Sequence, residues 1–333
     1  MIRSRSSGSS GKFVDLFYHA DSFIIQELHV LRMIKDLYPE YCPTDKELLV
    51  YTSEYPFSSI FGFYKVIYVN NLSIADTILN TIQAVNPSVI AIYPSVLREL
   101  LDKSDNKLSC EKLKLILTNS EQSSQLERDH FANICGCTVL DEYSSEELQS
   151  IAYQCRNYQY HLVQDCSYIE ILSPNSDKKL NMGEDGEVVG TNLTNFAMPL
   201  IRYRQQDLAS LNDSVCSCGK TAPIMSSISG RINSSFKRAD GLIIPSGKIL
   251  DWTYSLVLSM NLGIREFEIV QQTLNDIVVN IVVTGNFKIN QDERIIIDSF
   301  RMMFGNDYHV SVHIVSSIPR QKTGKHIPIK SLV

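Results

Sequence analysis

The sequence predicts an α/β protein with a large layered N-terminal domain and a small α+β domain behind it. From residue 13 onwards, short apolar runs alternate with stretches of helical apolar spacing, as in a sheet covered by helices. From about residue 151 the pattern becomes strand-rich. Near residue 230 it changes to helix, strand, strand, helix, strand, which indicates a ferredoxin-like domain.

These changes of pattern also set the domain boundaries. We expect the N-terminal domain over residues 1–230, with its strand-rich part over 151–230, and the C-terminal domain over 231–333. Glycine and short polar residues at 230–233 allow a hinge there.

Individual elements follow from apolar periodicity and from the turn residues between them. In the N-terminal domain the predicted strands are residues 13–18, 66–69, 89–93, 113–118, 138–141, 168–172, 186–191 and 200–203, and the predicted helices are 21–37, 74–85, 97–101 and 129–134. In the C-terminal domain the predicted helices are 251–262 and 293–304, and the predicted strands are 266–271, 277–284 and 310–315.

Composition narrows the functional class. The chain has 333 residues, 44% of them hydrophobic and 20% charged, and a net charge of −6, which gives no basic surface for nucleic acid. No apolar window is long enough to span a membrane, and no apolar stretch follows the basic residues at the start as in a signal peptide. We therefore expect a cytoplasmic protein whose eight cysteines are reduced, buried or metal-bound.

Two loops of small residues near the ends of the chain are typical of phosphate binding. The first reads Ser6, Ser7, Gly8, Ser9, Ser10, Gly11, Lys12, and the second runs from Pro319 to Gly324 and Lys325. Such loops expose backbone N–H groups to phosphate oxygens, and a following lysine adds a point charge. Ser/Gly repeats also occur as flexible linkers or tag remnants, but the strand and helix predicted directly after this one favour a phosphate loop.

Several segments between these loops carry a family resemblance. They are residues 118–121 (Thr-Asn-Ser-Glu), 141–147 (Asp-Glu-Tyr-Ser-Ser-Glu-Glu), 198–208 (Met-Pro-Leu-Ile-Arg-Tyr-Arg-Gln-Gln-Asp-Leu), 230–231 (Gly-Arg) and 240–245 (Asp-Gly-Leu-Ile-Ile-Pro). Together with the two loops, they resemble the acyl-adenylate-forming superfamily. The most similar branch contains phenylacetate–CoA ligase, coenzyme F390 synthetase and capsular-polysaccharide-type proteins.

The resemblance implies a role for each matched residue. Tyr143, Ser144, Asp207 and Arg231 would contact the adenine and ribose, with the Asp207 carboxylate accepting bonds from the ribose hydroxyls. The glutamate that binds Mg²⁺ would be Glu147, or Glu146 if the register shifts by one residue. Lys325 would be the lysine of the adenylation step, and Asn233 would lie at the hinge.

The implied reaction is ATP-dependent activation of a carboxylic acid, aryl or acyl, as an acyl-AMP. The acyl group would then pass to the thiol of CoA or of a phosphopantetheine carrier protein, after rotation of the small domain. The sequence does not name the acid. Residues 51–64, rich in Tyr and Phe, could line an aromatic acid pocket or form ordinary core.

Departures from the family pattern leave two other functions open. Serine stands at 144, glutamine at 205 and 206, and asparagine at 233, which fits a non-catalytic nucleotide-binding relative. Nucleotidyl transfer onto a cofactor, as in F390 synthesis, would use the same residues. Family members usually carry about a hundred residues before the phosphate loop, so we also expect either a short member or a chain whose missing part is covered by a homodimer or a partner chain.

Four residues suit a structural zinc site. Cys155 and His161 precede a strand-rich region, and Cys216 and Cys218 form a Cys-x-Cys-Gly segment that resembles one in the phenylacetate–CoA ligase branch. Three thiolates and one imidazole make a tetrahedral Zn²⁺ set. Cys135, Cys137 and Cys166 are alternative ligands, Cys42 and Cys110 are expected to be packed, and the alternative to zinc is a set of free cysteines.

Overall fold

A mixed sheet of nine strands, five of them parallel to one another, organises the first part of the molecule. In the computed structural model, which describes residues 1–5, 14–53, 56–226 and 228–333, the chain divides into two units. The first contains Met1–Glu121 and Phe131–Ile228, and the second contains Gln122–His130 and Ser229–Val333.

Strands and helices alternate along the chain before the strand-rich part begins. In chain order, the elements up to residue 228 are β1 (Ile2–Arg5), β2 (Asp15–Tyr18), α1 (Ala20–Leu37), β3 (Lys46–Tyr51), β4 (Lys65–Asn70), α2 (Ala75–Val85), β5 (Val89–Ile92), α3 (Pro94–Lys103), β6 (Leu115–Thr118), α4 (Gln125–Cys135), β7 (Thr138–Ser145), β8 (Gln149–Gln154), β9 (Tyr160–Leu162), β10 (Ser167–Leu172), β11 (Gly186–Asn192), β12 (Tyr203–Ala209), β13 (Leu211–Asn212) and β14 (Ile224–Met225).

The central sheet has the order β13-β14-β9-β8-β7-β6-β5-β3-β4. Strands β3 to β7 pair in parallel, and β8 turns back antiparallel to β7. Short apolar runs such as Val89–Ile92 are buried throughout because helices cover both faces of this part of the sheet. One face packs on α2 and α3, and the other on the buried side of α1.

Parallel pairing brings the carboxyl ends of the strands to one edge of the sheet. Thr118 at the end of β6 is paired with Asp141 of β7, and its hydroxyl donates to the Asp141 carboxylate at 2.5 Å. The segments at 118–121 and 141–147 therefore begin side by side. In open α/β sheets this edge is where ligands bind.

A second, antiparallel sheet contains β10, β11 and β12. The sequence prediction placed a strand at residues 200–203, and it was wrong by several residues, because the strand begins at Tyr203. Arg202 has a φ of 52°, which interrupts extended backbone directly before the strand.

A bulge in β12 places Gln206 in the left-handed region. Its φ is 61°, and the register with β11 shifts at this point, so that Glu187 faces Leu208 while Val189 faces Arg204. Residues 199–207 resemble the acyl-adenylate-forming segment Pro-Leu-Ile-Arg-Tyr-Arg-Thr-Gly-Asp, in which glycine stands where this chain has Gln206. The left-handed conformation explains why the family segment has glycine there, since only glycine adopts it without a steric cost.

The bulge gives a stability prediction. Gln206→Val should lower the free energy of unfolding by about 1–3 kcal/mol, because a β-branched residue at positive φ is strained. Gln206→Gly should leave that energy nearly unchanged or raise it. Urea unfolding of both variants measures the difference, and equal stability of the valine and glycine variants would contradict a left-handed residue 206.

The second unit is built around a small mixed sheet with two helices. Its elements beyond α4 are β15 (Gly230–Arg231), a 3₁₀ turn (Ile232–Ser234), β16 (Phe236–Lys237), β17 (Ile243–Ile244), α5 (Ser246–Ser259), β18 (Ile264–Gln271), β19 (Asp276–Val283), α6 (Gln291–Phe304), β20 (His309–Ile314) and β21 (Ile329–Ser331). The sheet has four strands in the order β20-β19-β18-β21. Its core holds large apolar side chains, including the buried Phe236, Phe300 and Phe304.

The predicted fold class, a mixed α/β protein with a smaller α+β part, is confirmed. Several strands were not predicted, among them β1, β3, β8, β9 and β21. None of the helices in the described ranges is both long and apolar enough to cross a membrane.

Candidate functional site

The side chains of Tyr143 and Asp207 meet in the first unit. The Tyr143 hydroxyl donates to Oδ2 of Asp207 at 2.7 Å, and Asp207 is 9% exposed. A second bond joins the same two strands, because Nε2 of Gln205 donates to Oγ of Ser145 at 3.1 Å. Two residues matched separately to adenine and ribose binding, 64 positions apart, are thus in direct contact.

The structure distinguishes the two glutamates at 146 and 147. Glu147 is half-buried, and its Oε1 accepts a bond from the Tyr203 hydroxyl at 3.1 Å. Glu146 is exposed, and its Oε2 accepts from Oγ of Ser4 at 2.8 Å. Glu147 is therefore attached to the same strand as Asp207, whereas Glu146 is attached to the first strand of the chain. Carboxylate oxygen is the donor that Mg²⁺ prefers, so Glu147 fits such an ion.

Ser144 lies in the hairpin between β7 and β8. It pairs with Ser150, and the register of the hairpin shifts between Tyr143 and Ser144. This irregularity directly follows the tyrosine matched to adenine, and the chain turns at residues 146–148, which include Glu147.

Lys325 follows a tight turn in the second unit. The N–H of Gly324 donates to the carbonyl of Gln321 at 2.8 Å, and the N–H of Gln321 donates to the carbonyl of Lys325 at 2.9 Å. Gly324 has a φ of 77°, a conformation that favours glycine. The turn therefore accounts for the glycine of the Gly-Lys pair, and it fixes the backbone of the half-buried Lys325 that follows.

Arg231 and Asn233 lie in the connecting segment of the second unit. Arg231 is exposed in β15, and Asn233 lies in the short 3₁₀ turn. Gly230, just before them, has a φ of 85°, and a Cβ there would lie 2.1 Å from Oγ of Ser246. The phosphate-loop residues Ser6 to Lys12 lie outside the described residues.

The four residues of the zinc prediction converge in the first unit. One ligand atom from each of Cys155, His161, Cys216 and Cys218 lies within 4.8 Å of all the others. Sγ of Cys155 is 3.8 Å from Sγ of Cys216, and Sγ of Cys218 is 3.3 Å from Nε2 of His161. The pairing of β9 with β14, where His161 faces Ile224, brings the two distant segments together.

Hydrogen bonds around the cluster suit a bound metal. The other ring nitrogen of His161 lies 3.2 Å from the carbonyl of Ala222, and a bond there leaves Nε2 unprotonated as a ligand. The backbone N–H of Asn157 donates to Sγ of Cys155 at 3.4 Å. A backbone bond from Cys218 lowers the pKa of the Cys216 thiol to about 6, which favours the thiolate. The residues therefore fit Zn²⁺.

The remaining cysteines lie elsewhere. Cys135 and Cys137 interact with each other beside the α2–α3 face of the sheet. Cys166 is buried on the α1 face, and Cys42 is exposed. All eight cysteines lie in the described ranges, and none of them forms a disulfide there. The alternative ligands Cys135, Cys137 and Cys166 are not part of the four-residue group.

We expect the purified protein to contain one Zn²⁺ per chain, and Cys216→Ser to lose it. A metal that binds only the folded state stabilises it by about 4 kcal/mol when its free concentration is a thousand times Kd. Elemental analysis and thermal unfolding measure both effects. Cys42→Ser, an exposed cysteine outside the cluster, is the matched control, and equal metal content in both variants would contradict the site.

Sequence reasoning missed three glutamates of the first unit that are buried or half-buried. Glu27 and Glu47 are buried and Glu142 is half-buried, although none of them has a role in the matched family pattern. A glutamate on a helix or strand is usually a solvent-facing residue, so the sequence carried no signal for them.

Comparison with known proteins gives one family model and a set of relatives. Residues 237–331 match the model of the CapK C-terminal domain. Phenylacetate-coenzyme A ligase of Escherichia coli (strain K12) is 30% identical over 153 residues, which are 44% of this chain and 34% of that protein. The enzyme of the same name from Aromatoleum evansii is 30% identical over 141 residues, 40% of this chain and 32% of that protein. The chain thus spans about a third of the length of these relatives.

Solved structures match nearly the whole chain. 2-Hydroxyisobutyryl-CoA ligase, in the postadenylation state with R3-HIB-AMP, has a TM-score of 0.76 at 16% identity, over 98% of this chain and 73% of that chain. Anthranilate CoA ligase AuaEII with anthranoyl-AMP has a TM-score of 0.74 at 15% identity, over 97% of this chain and 65% of that one. The chain is therefore similar to phenylacetate-coenzyme A ligases over less than half of its length, and it has the fold of CoA ligases solved with acyl-AMP.

Proposed function

We propose that this chain activates a carboxylic acid with ATP as an acyl-adenylate and transfers the acyl group to the thiol of CoA. The observation that carries the proposal is the bond between Tyr143 and Asp207. It brings together the two residues matched to adenine and ribose, at the carboxyl-end edge of a parallel sheet. The likeness of the chain to ligases solved with acyl-AMP supports the same function.

The proposed reaction has two displacements. In the first, a carboxylate oxygen forms a bond to the α-phosphorus of ATP, and the bond to the bridging oxygen breaks as pyrophosphate leaves. In the second, the thiol loses its proton and its sulfur bonds to the acyl carbon, and the carbon–oxygen bond breaks as AMP leaves. The protein's contribution to both is positioning and charge neutralisation.

Each candidate residue has a part in the first displacement. Asp207 accepts from the ribose hydroxyls while Tyr143 holds its carboxylate in place. Lys325 neutralises charge on the α-phosphate and the attacking carboxylate. Glu147 would hold Mg²⁺, which supplies charge neutralisation to the phosphates. The loop Ser6 to Lys12 binds the β- and γ-phosphates.

The cysteine cluster has a structural part in this proposal. Zn²⁺ held by four protein ligands has no open coordination position, so it stabilises the region rather than reacting. The unpaired state of all eight cysteines supports a cytoplasmic location. It remains a prediction that the acceptor is a carrier protein. It also remains a prediction that a second copy of this chain or a partner chain covers the part of the domain that would precede the phosphate loop.

Acid-dependent exchange of labelled pyrophosphate into ATP tests the proposal. A panel of aryl, fatty and amino acids should contain members that raise the exchange rate well above the rate without acid. ATP binding by calorimetry together with no exchange for any acid would favour the non-catalytic relative. Labelled AMP appearing on a cofactor hydroxyl would favour F390-type nucleotidyl transfer.

A further inference from the structure

The turn that bears Lys325 belongs to a connection that crosses the small sheet of the second unit. Strands β20 and β21 are the two edge strands of this sheet, since its order is β20-β19-β18-β21. Residues 315–328 join them and therefore cross β19 and β18. Ile318 in this connection is buried, so this part of the connection is packed against the unit.

The carboxylate of Glu266 in β18 contacts this connection. The neighbouring Phe267 belongs to the apolar core together with Phe300 of α6, and side chains alternate between the two faces of a strand. Glu266 therefore projects from the face that the helices do not cover. There its Oε1 lies 3.3 Å from Nη2 of Arg320, so an ion pair joins the connection to the sheet.

This ion pair connects the loop to a rigid element. The side chains of Arg320 and Glu266 are 23% and 12% exposed, and charges shielded from water in this way attract each other more strongly than fully exposed charges. Glu266 itself faces Val282 of β19 in the longest antiparallel ladder of the sheet. The position of Arg320 is therefore set by the sheet.

Backbone hydrogen bonds continue this attachment to Lys325. The N–H of Gln321, the residue after Arg320, donates to the carbonyl of Lys325 at 2.9 Å. Three residues after Lys325, the carbonyl of Pro328 accepts from the N–H of Ile269 in β18 at 2.7 Å. The turn is thus fixed to the same strand on both sides of Lys325, by a side chain before it and by a backbone bond after it.

We propose that Glu266 and Arg320 are positioning residues for the adenylation step, which hold the turn so that the ammonium of Lys325 reaches the α-phosphate. The inference rests on the proposed function. Lysine carries its charge on a flexible four-carbon stem, so the reach of the ammonium is set by the place where the backbone is held. Misplacing a group by about 1 Å can cost about 10²-fold in rate. An ion pair that touches no substrate can therefore affect the rate of the reaction.

A second ion pair on the same strand provides a matched control. Glu268, two residues along β18, pairs with Lys330 of β21 and accepts a bond from Nδ2 of Asn280 in β19 at 2.9 Å. Its side chain is 11% exposed, close to the value for Glu266. These bonds join strands to one another, whereas the bond to Arg320 joins a strand to the turn. Glu266→Gln and Glu268→Gln therefore remove equal charge from equally shielded positions.

Acid-dependent pyrophosphate exchange with the two glutamine variants tests the proposal. Glu266→Gln should lower kcat for exchange by about tenfold and leave ATP affinity unchanged, because the lysine acts on the transition state. Glu268→Gln should exchange like the wild type. Arg320→Lys keeps a cation beside Glu266 and should retain most of the rate that Arg320→Gln loses. Equal kcat in the two glutamate variants would overturn the inference.

A double variant separates positioning from a general loss of stability. Once Lys325 is alanine, there is no ammonium to position, so adding Glu266→Gln should lower exchange no further. A loss of general stability would lower exchange equally in both backgrounds. A further tenfold loss in the Lys325→Ala background would therefore overturn the inference.

A measurement without catalysis separates this inference from the proposed function. The N–H groups of Gln321 and Gly324 both donate within the turn, so their hydrogen exchange reports how firmly the turn is held. This exchange should be at least about tenfold faster in Glu266→Gln than in Glu268→Gln. Unchanged hydrogen exchange together with normal pyrophosphate exchange in Glu266→Gln would overturn the inference and leave the proposed function standing. Faster hydrogen exchange, with no pyrophosphate exchange for any acid in the wild type, would support the attachment of the turn and overturn the proposed function.

Discussion

Replacing Lys325 by alanine should lower acid-dependent pyrophosphate exchange by about 10²–10³-fold, the usual effect of removing a charge aimed at a transition state. The loss should appear in the rate of exchange rather than in ATP affinity, since the charge matters most when the new phosphorus–oxygen bond forms. Exchange kinetics with the best acid, compared with ATP binding by calorimetry, measure both quantities.

Lys322→Ala is the matched control for this variant. Lys322 is an exposed lysine of the same turn, so its removal changes net charge equally without removing the proposed group. A second readout uses synthetic acyl-AMP and CoA. Lys325→Ala should still convert them to thioester, because the lysine is assigned to the first displacement only. Equal exchange rates in the two alanine variants would contradict the assignment.

The second large effect is expected at Asp207. Asp207→Ala should weaken ATP binding by about 10–150-fold, because hydrogen bonds to a charged group contribute about 1.5–3 kcal/mol. Tyr143→Phe, which removes the 2.7 Å bond to the carboxylate, should weaken it less. Calorimetric titration of ATP into the single and double variants measures both effects.

The double variant tests whether the two residues act together. If Tyr143 acts by holding Asp207, its removal should have little effect once Asp207 is alanine, so the two effects should not add. Asp213→Ala, an exposed carboxylate in the loop after β13, is the control and should bind ATP like the wild type. Additive losses would mean that Tyr143 contacts the nucleotide independently.

Much of the parallel sheet could be predicted from the sequence because its strands are short apolar runs between turns. Residues 89–93 and 113–118 are examples, since burial of β5 and β6 on both faces leaves little room for polar side chains. The strand predicted at 200–203 failed because a left-handed Arg202 interrupts it, and apolar pattern alone does not reveal such a residue.

The candidate sites were predictable to different degrees. The spacing of Cys155 with His161 and of Cys216 with Cys218 predicted a metal site. Which cysteines belong to it is decided by the pairing of β9 with β14, which brings these four residues together. The contact between Tyr143 and Asp207 could be inferred only through the resemblance. The buried pair Glu27 and Glu47 gave no signal, because burial of a carboxyl is decided by tertiary packing.

The most direct test of the central claim follows an oxygen atom. The best acid, labelled with ¹⁸O in both carboxylate oxygens, is incubated with ATP, Mg²⁺ and CoA, and the AMP produced is analysed by mass spectrometry. Adenylation followed by thioester formation predicts AMP with one ¹⁸O atom and a thioester that keeps the other. Unlabelled AMP, or label in inorganic phosphate, would contradict an acyl-adenylate.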